Sequence, residues 1–185
     1  MKLVSEITAT RSALLIIDAQ RAHCDPHYPR GMGSQETSAI CSAINKLAEE
    51  FRRAGRPVYY IYLNPQEYRH NDLHDLHWAY GGPHKIEIAP SDRIIRKIKE
   101  SALSQETRAR VLACLAEDSV DKPYIAGFHI PMCVRANVFD FVDLGFDTGV
   151  LEGHIGSGWP INPRKNEAAL AEMKAKGAKF IAPYV

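Results

Sequence analysis

A thiol, a carboxylate and an ammonium stand at positions in this chain from which covalent chemistry could be assembled. Cys133 follows an apolar run, Tyr124-Ile125-Ala126-Gly127, and a short turn, Phe128-His129-Ile130-Pro131-Met132. It opens a helix-patterned stretch from Val134 to Gly145. On the first turn of a helix a thiol meets unpaired backbone N–H groups and the positive end of the helix dipole, which favour the nucleophilic thiolate. A small buried hydrophobe at a strand–helix junction is the other reading of the same residue. Asp18 directly follows a second apolar run, Ala13-Leu14-Leu15-Ile16-Ile17. That places a charge at the carboxyl end of a strand buried on both faces, where open α/β sheets bind ligands, although Asp is also a good cap for the loop that follows. Lys97 and Lys99 both lie near the end of a further strand, and position alone does not choose between them. Three strand ends thus deliver an acid, a cation and a thiol to one rim.

The elements that must position these groups alternate along the chain. Strands are expected at 13–17, Pro57 to Leu63, Arg93 to Ile98, Lys122 to Ala126, Thr148 to Leu151 and Ala178 to Ala182, where short apolar or β-branched runs occur. Helices are expected at Ser38 to Ala54, Glu106 to Ala116, Met132 to Leu144 and Asn166 to Lys176, with Gly55, Gly145 and Gly177 as stops. The N-terminus is expected to run almost directly into the first strand. Strand–helix alternation argues for a parallel sheet covered on both sides. The stretch from Asn64 to Pro90 breaks the rhythm: it is rich in Pro and Gly and holds four of the eight histidines. A segment of this length without regular structure is usually functional. No internal repeat or low-complexity tract is present.

Composition narrows the function classes. With 23 basic and 22 acidic residues the formal charge is +1, which gives no electrostatic case for nucleic acid or for an anionic membrane. No apolar run approaches the roughly 20 residues that span a bilayer. The N-terminus has no signal-peptide pattern. Cys24, Cys41, Cys114 and Cys133 are far apart and form no Cys-x-x-Cys pair, which excludes a zinc ribbon or a thioredoxin-type motif by spacing. A reducing cytoplasm is the expected compartment.

Taken together, these segments resemble the isochorismatase-like cysteine hydrolases, which include nicotinamidases and N-carbamoylsarcosine amidohydrolases. The run ending in Asp18-Ala19-Gln20 is similar to the family's opening, and Gly127, Cys133-Val134 and Gly145-Phe146 are spaced as in its nucleophile segment. The family's lysine precedes a Ser-Ala pair by four residues, here Ser101-Ala102, which selects Lys97. The resemblance implies one domain over residues 1–185, a three-layer Rossmann-like fold with a six-stranded parallel sheet in the order 3-2-1-4-5-6 and helices on both faces. It implies a hydrolase cleaving a C–N bond of a small amide or carbamoyl compound through a Cys133 thioester. Asp18 would act as general base and then acid, and Lys97 would stabilise the thiolate. Backbone N–H groups of the turn around His129, Ile130 and Met132, with that of Cys133, would hold the oxyanion. A non-proline cis peptide would fall nearest Phe128-His129, and homo-oligomers are expected, because family members often complete their pockets with a neighbouring subunit.

The chain departs from the family pattern in places. Ile130 and Asn137 stand where Thr is frequent, and Glu152 where Asp is common. Pro131 has no N–H to donate. Nicotinamidases hold a metal with an Asp and two His after the second strand, whereas here Asn64 to His70 lacks an Asp-x-His, so no metal or other cofactor is expected. His70, His74 and His77 have spacings that could chelate a metal on one helical face, but polar surface residues satisfy the same pattern. His23, Trp78, His129 and His154 are candidates to line the substrate pocket. Vinyl ether hydrolysis of the isochorismatase type, a binding protein that has lost turnover, and a thiol-based redox protein are the competing functions.

Overall fold

The continuous apolar runs form the middle of a sheet. In the computed structural model, which describes residues 2–27, 32–63, 86–158 and 161–182, β1 (Ser12–Ile17) is buried along its whole length, as is β4 (Lys122–Phe128). They pair with each other and are flanked by β2 (Val58–Leu63) and β3 (Arg93–Lys97) on one side and by β5 (Gly149–Gly156) and β6 (Lys179–Ile181) on the other. All pairs are parallel, in the order β3-β2-β1-β4-β5-β6. The parallel pairing is that expected from the strand–helix alternation, and the strand order is the one the family resemblance implies.

Period-two alternation sends side chains of β1 to two separate cores. Ala13, Leu15 and Ile17 pack with Val111, Leu115, Val134, Val138, Phe141 and Met173. These come from α4 (Arg108–Glu117), α5 (Arg135–Asp143), α6 (Pro163–Lys176) and the turn before α5. Leu14 and Ile16 pack on the other face with Ile44, Phe51, Tyr60, Tyr124 and Phe128, the first two from α3 (Gln35–Arg53). Helices therefore cover both faces.

Two helices differ from expectation. The N-terminal residues form α1 (Lys2–Ala9) rather than leading straight to β1. Ile7 of α1 is buried, and Arg56 donates to the carbonyls of Ile7 and Thr8 at 3.0 and 2.7 Å, supplying partners that a helix end lacks within itself. A four-residue helix, α2 (Arg21–Cys24), follows β1. α3 also begins earlier than its apolar spacing suggested, because Ser34 and Thr37 cap it reciprocally: the Thr37 N–H donates to Ser34 Oγ at 3.2 Å and the Ser34 N–H to Thr37 Oγ1 at 2.7 Å.

The order reverses between β1 and β4, and there the two backbones crowd together. Gly127, at φ +113°, sits where a Cβ would lie 2.0 Å from the carbonyl oxygen of Ile17. Only glycine fits. Gly127→Ala is expected to lose about 3 kcal/mol or more of stability, because strain adds to a backbone clash. Gly55→Ala, also at positive φ but with nothing within 4 Å of its Cβ, should lose only about 1 kcal/mol. Urea denaturation of both variants checks this, and equal losses would contradict it.

Candidate active site

Asp18 extends the β1 ladder by one residue, its N–H donating to the Ile61 carbonyl at 2.8 Å, and then turns sharply at φ +49°. Left-handed backbone costs most L residues roughly 1–2 kcal/mol and is most readily tolerated by Asn, Asp and Gly. Neighbouring groups hold the turn. The Gln20 N–H donates to the Asp18 carbonyl at 2.7 Å. The Gln20 side chain clamps the end of β2, donating to the Leu63 carbonyl at 3.1 Å and accepting from the Leu63 N–H at 2.9 Å. The Tyr60 hydroxyl donates to the Ala19 carbonyl at 2.8 Å. This explains the Asp-x-Gln spacing: the Gln braces the turn that aims the Asp.

Lys97 comes from the far side of β2. Strands lie about 4.8 Å apart, so β3 is about 10 Å from β1, and only a long side chain crossing the end of β2 can reach Asp18. Its ammonium donates to Asp18 Oδ2 at 2.7 Å and to the Lys99 carbonyl at 3.1 Å, and both members of the pair are fully buried. Lys99 points its side chain to solvent. The approach to β3 is anchored by Arg52, which grips the Asp92 carboxylate with Nε and Nη2 at 3.0 and 2.6 Å. The second oxygen of Asp18, Oδ1, is buried and, apart from the neighbouring Cys133 thiol, has no hydrogen-bond partner among the described residues.

Cys133 stands on a π-helical turn, Ile130–Val134, that runs directly into α5 and follows a cis peptide between Phe128 and His129. The thiol lies close enough to Asp18 and Lys97 to interact with both side chains. The structure thus brings Asp18, Lys97 and Cys133 together. It corrects the expected ionisation, however. Burial, reinforced by the Asp18 carboxylate, pushes the Cys133 thiol well above its ordinary range, and the lowering by Lys97 does not compensate. Cys133 is only 5% exposed. Burial and the carboxylate both favour the protonated thiol over the thiolate.

Two proposed oxyanion donors are also corrected. The Ile130 N–H donates to Ser157 Oγ at 3.1 Å, and the Met132 N–H to the His129 carbonyl at 3.1 Å. Both are engaged, and the Met132 side chain is exposed. A residue whose role the sequence left open is Asn137, which is fully buried. It donates to the Cys133 carbonyl at 2.8 Å and to the Glu100 carbonyl at 3.3 Å, and accepts from the Ala102 N–H at 3.0 Å. It ties the nucleophile's turn to the chain just beyond Lys97 with two donated bonds and one accepted, which a Thr, with its single O–H donor, could not do.

His23 and His129 lie together, their ring centroids 4.6 Å apart, with His23 Nδ1 2.8 Å from the Asp18 carbonyl oxygen. Burial lowers the pKa of both, that of His129 to about 3. His154 sits on β5 where its register against β4 shifts, with Nδ1 3.2 Å from the Glu152 carbonyl oxygen. Glu152 faces Lys174 of α6 at 3.6 Å. Trp78, His70, His74 and His77 lie outside the described residues.

Residues 12–182 match the isochorismatase domain model, and the chain belongs to that family: it is an isochorismatase-family hydrolase. No curated protein matches the sequence. Among solved structures, the pyrazinamidase of Pyrococcus horikoshii in complex with zinc aligns with a TM-score of 0.73 at 23% identity, covering 94% of this chain and 99% of its own. The nicotinamidase of Staphylococcus aureus gives 0.69 at 20%, covering 93% and 99%. An isochorismatase-family protein from Desulfovibrio vulgaris gives 0.71 at 23%, covering 94% of each. At such identities the likeness establishes the fold. Among the described residues there is no group of three or more His, Cys, Asp or Glu placed to hold a metal, so those residues do not supply a zinc site. No helix among them is long and apolar enough to cross a membrane.

The buried Asp18–Lys97 pair predicts a large coupling. Lys97→Met leaves a buried carboxylate without its countercharge and should cost about 3–5 kcal/mol, most of it recovered when Asp18→Asn is added. Urea unfolding of the four proteins measures this, and additive losses would contradict it. Acid should weaken the fold through His129. Its unfolded form binds a proton below about 6.5, whereas the native ring does not until about 3, so this stability is present above pH 6.5 and lost as pH falls. Between pH 6.5 and 4.5, His129→Phe should flatten the slope of stability against pH by up to about 1.4 kcal/mol per unit. Parallel slopes would contradict the assignment.

Proposed function

We propose that this chain hydrolyses the C–N bond of a small amide or carbamoyl compound through a thioester on Cys133. One observation carries the reading: a buried thiol beside a carboxylate whose one oxygen is gripped by Lys97 at 2.7 Å and whose other oxygen is open. That arrangement suits proton transfer coupled to attack. As the sulfur–carbon bond forms, the thiol proton passes to Asp18 Oδ1 and the carbonyl electrons move onto oxygen. Lys97 stabilises the negative charge that moves between sulfur and carboxylate, and fixes the carboxylate's orientation.

With the N–H groups of Ile130 and Met132 engaged elsewhere, the backbone N–H groups of His129 and Cys133 are the donors that would hold the oxyanion. Collapse of the tetrahedral species expels the amine, which takes the proton back from Asp18. Water then attacks the thioester while Asp18 accepts its proton. Expulsion of sulfur, reprotonated by the same carboxyl group, releases the acid and restores the thiol. Overall, amide and water give acid and amine, with no net change in the protein.

A panel of small primary amides and carbamoyl compounds tests this. The expected result is release of ammonia and, on acid quenching, a protein mass increased by the acyl group on Cys133. Cys133→Ala should abolish the adduct, and Asp18→Asn should reduce kcat by about a thousandfold or more. Turnover of an enol ether by the Cys133→Ala protein would contradict the reading. Activity should survive dialysis against a strong chelator, because no step here uses a metal. Loss restored by zinc would instead assign His70, His74 and His77 as ligands.

A further inference from the structure

His129 carries a second feature besides its place in the turn. The residue is 3% exposed, and Nε2 is one of the buried side-chain atoms without a hydrogen-bond partner among the described residues. Its other nitrogen is occupied: the Gly158 N–H donates to Nδ1 at 3.0 Å. A backbone amide can only donate, so Nδ1 must present its lone pair. The ring is held neutral by burial and by the neighbouring His23, so its single hydrogen must be on Nε2. The tautomer is therefore fixed by the fold, and it leaves a buried N–H donor with no acceptor among the described residues.

The position of that donor is also fixed. The Gly158 backbone presses so closely on Met32 that a Cβ would lie 1.7 Å from its carbonyl oxygen. The His129 ring is flanked by Phe128 and His23, at centroid distances of 5.8 and 4.6 Å. The His129 carbonyl accepts the N–H groups of Met132 and Val134, so the same residue caps the nucleophile's turn. Through His23, whose Nδ1 is 2.8 Å from the Asp18 carbonyl oxygen, the ring abuts the strand end that carries the acid. A buried donor is satisfied almost without exception in folded proteins, so one left open on the residue that caps the nucleophile's turn points to an acceptor that the described residues do not supply.

We propose that His129 is a specificity-determining residue whose Nε2–H takes an uncharged hydrogen-bond acceptor, an aza nitrogen or a carbonyl oxygen, on the part of the substrate that does not react. The proposal rests on the hydrolase reading above for its substrate. It implies selection against compounds that present a cation or a donor at that point, because the fixed tautomer can offer them nothing.

The test is binding to the Cys133→Ala protein labelled with 15N-histidine, which does not depend on turnover. Three probes share a primary amide: benzamide has no second acceptor, pyridine-3-carboxamide adds an aza nitrogen, and isophthalamide adds a carbonyl. The unliganded spectrum should show His129 protonated at Nε2 and bare at Nδ1 from pH 8 to 4.5. One acceptor probe should bind about tenfold or more tightly than benzamide and shift the Nε2–H resonance; which one does so identifies the acceptor. The preference should vanish with His129→Phe, while His129→Gln, which keeps an N–H donor, retains part of it and reports on folding. Equal binding of all three probes, an unmoved Nε2–H resonance, or a preference that survives His129→Phe overturns the proposal. Failure here leaves the thioester experiment standing, and failure of that experiment leaves this result readable.

Discussion

The site depends on one ion pair. Asp18 and Lys97 are both removed from water, and neither charge is tolerable there without the other. The pair joins strands that are not neighbours in the sheet, so it exists only if β2 lies between them in register. It also requires the left-handed turn at Asp18 and the Gln20 clamp on Leu63 that braces it. Replacing such a pair by apolar groups is often neutral or stabilising in proteins, so stability alone does not account for it. The pair orients a carboxylate, leaving one oxygen bound by Lys97 and the other, among the described residues, to the thiol.

The oxygen left to the thiol accounts for its state. A helix N-terminus and an ammonium favour a thiolate, and burial and a carboxylate oppose it; here the opposition prevails. A resting thiolate beside Asp18 would place two negative charges around a single lysine. A resting thiol keeps that count balanced, and its proton has an acceptor ready when a carbonyl arrives. Asn137 supports the geometry from behind, since a shift of the Cys133 turn relative to the Lys97 segment would stretch bonds on both sides of one side chain.

Much of this was legible in the sequence, and the gaps have physical causes. β1 and β4 announced themselves because central parallel strands are apolar on both faces. Asp18 and Cys133 were legible as strand ends feeding one rim, whereas the choice of Lys97 over Lys99 and the cis peptide came through family resemblance. α1 was not, because its support comes from Arg56, far along the chain. α2 is too short for periodicity to register, and the cap of α3 pairs Ser34 with Thr37 rather than with the Glu or Gln that marks a capping box. The burial that opposes ionisation of the thiol was not legible, because a helix terminus is visible in a sequence and burial is not. The engaged N–H of Ile130 could not have been foreseen, since its partner, Ser157, lies after the next strand. The sequence could present His129 as a pocket candidate, but its tautomer depends on Gly158.

The central claim is that the Asp18 carboxylate sits against the Cys133 thiol and governs its proton. Thiolate absorbance near 240 nm, followed against pH with the other three cysteines replaced by serine, measures that directly. In the Asp18→Asn protein the Cys133 titration should move to lower pH than in the parent, because a neighbouring negative charge has been removed while Lys97 remains. A titration that is unchanged, or that moves to higher pH, would mean that the carboxylate does not act on the thiol, and would contradict the account.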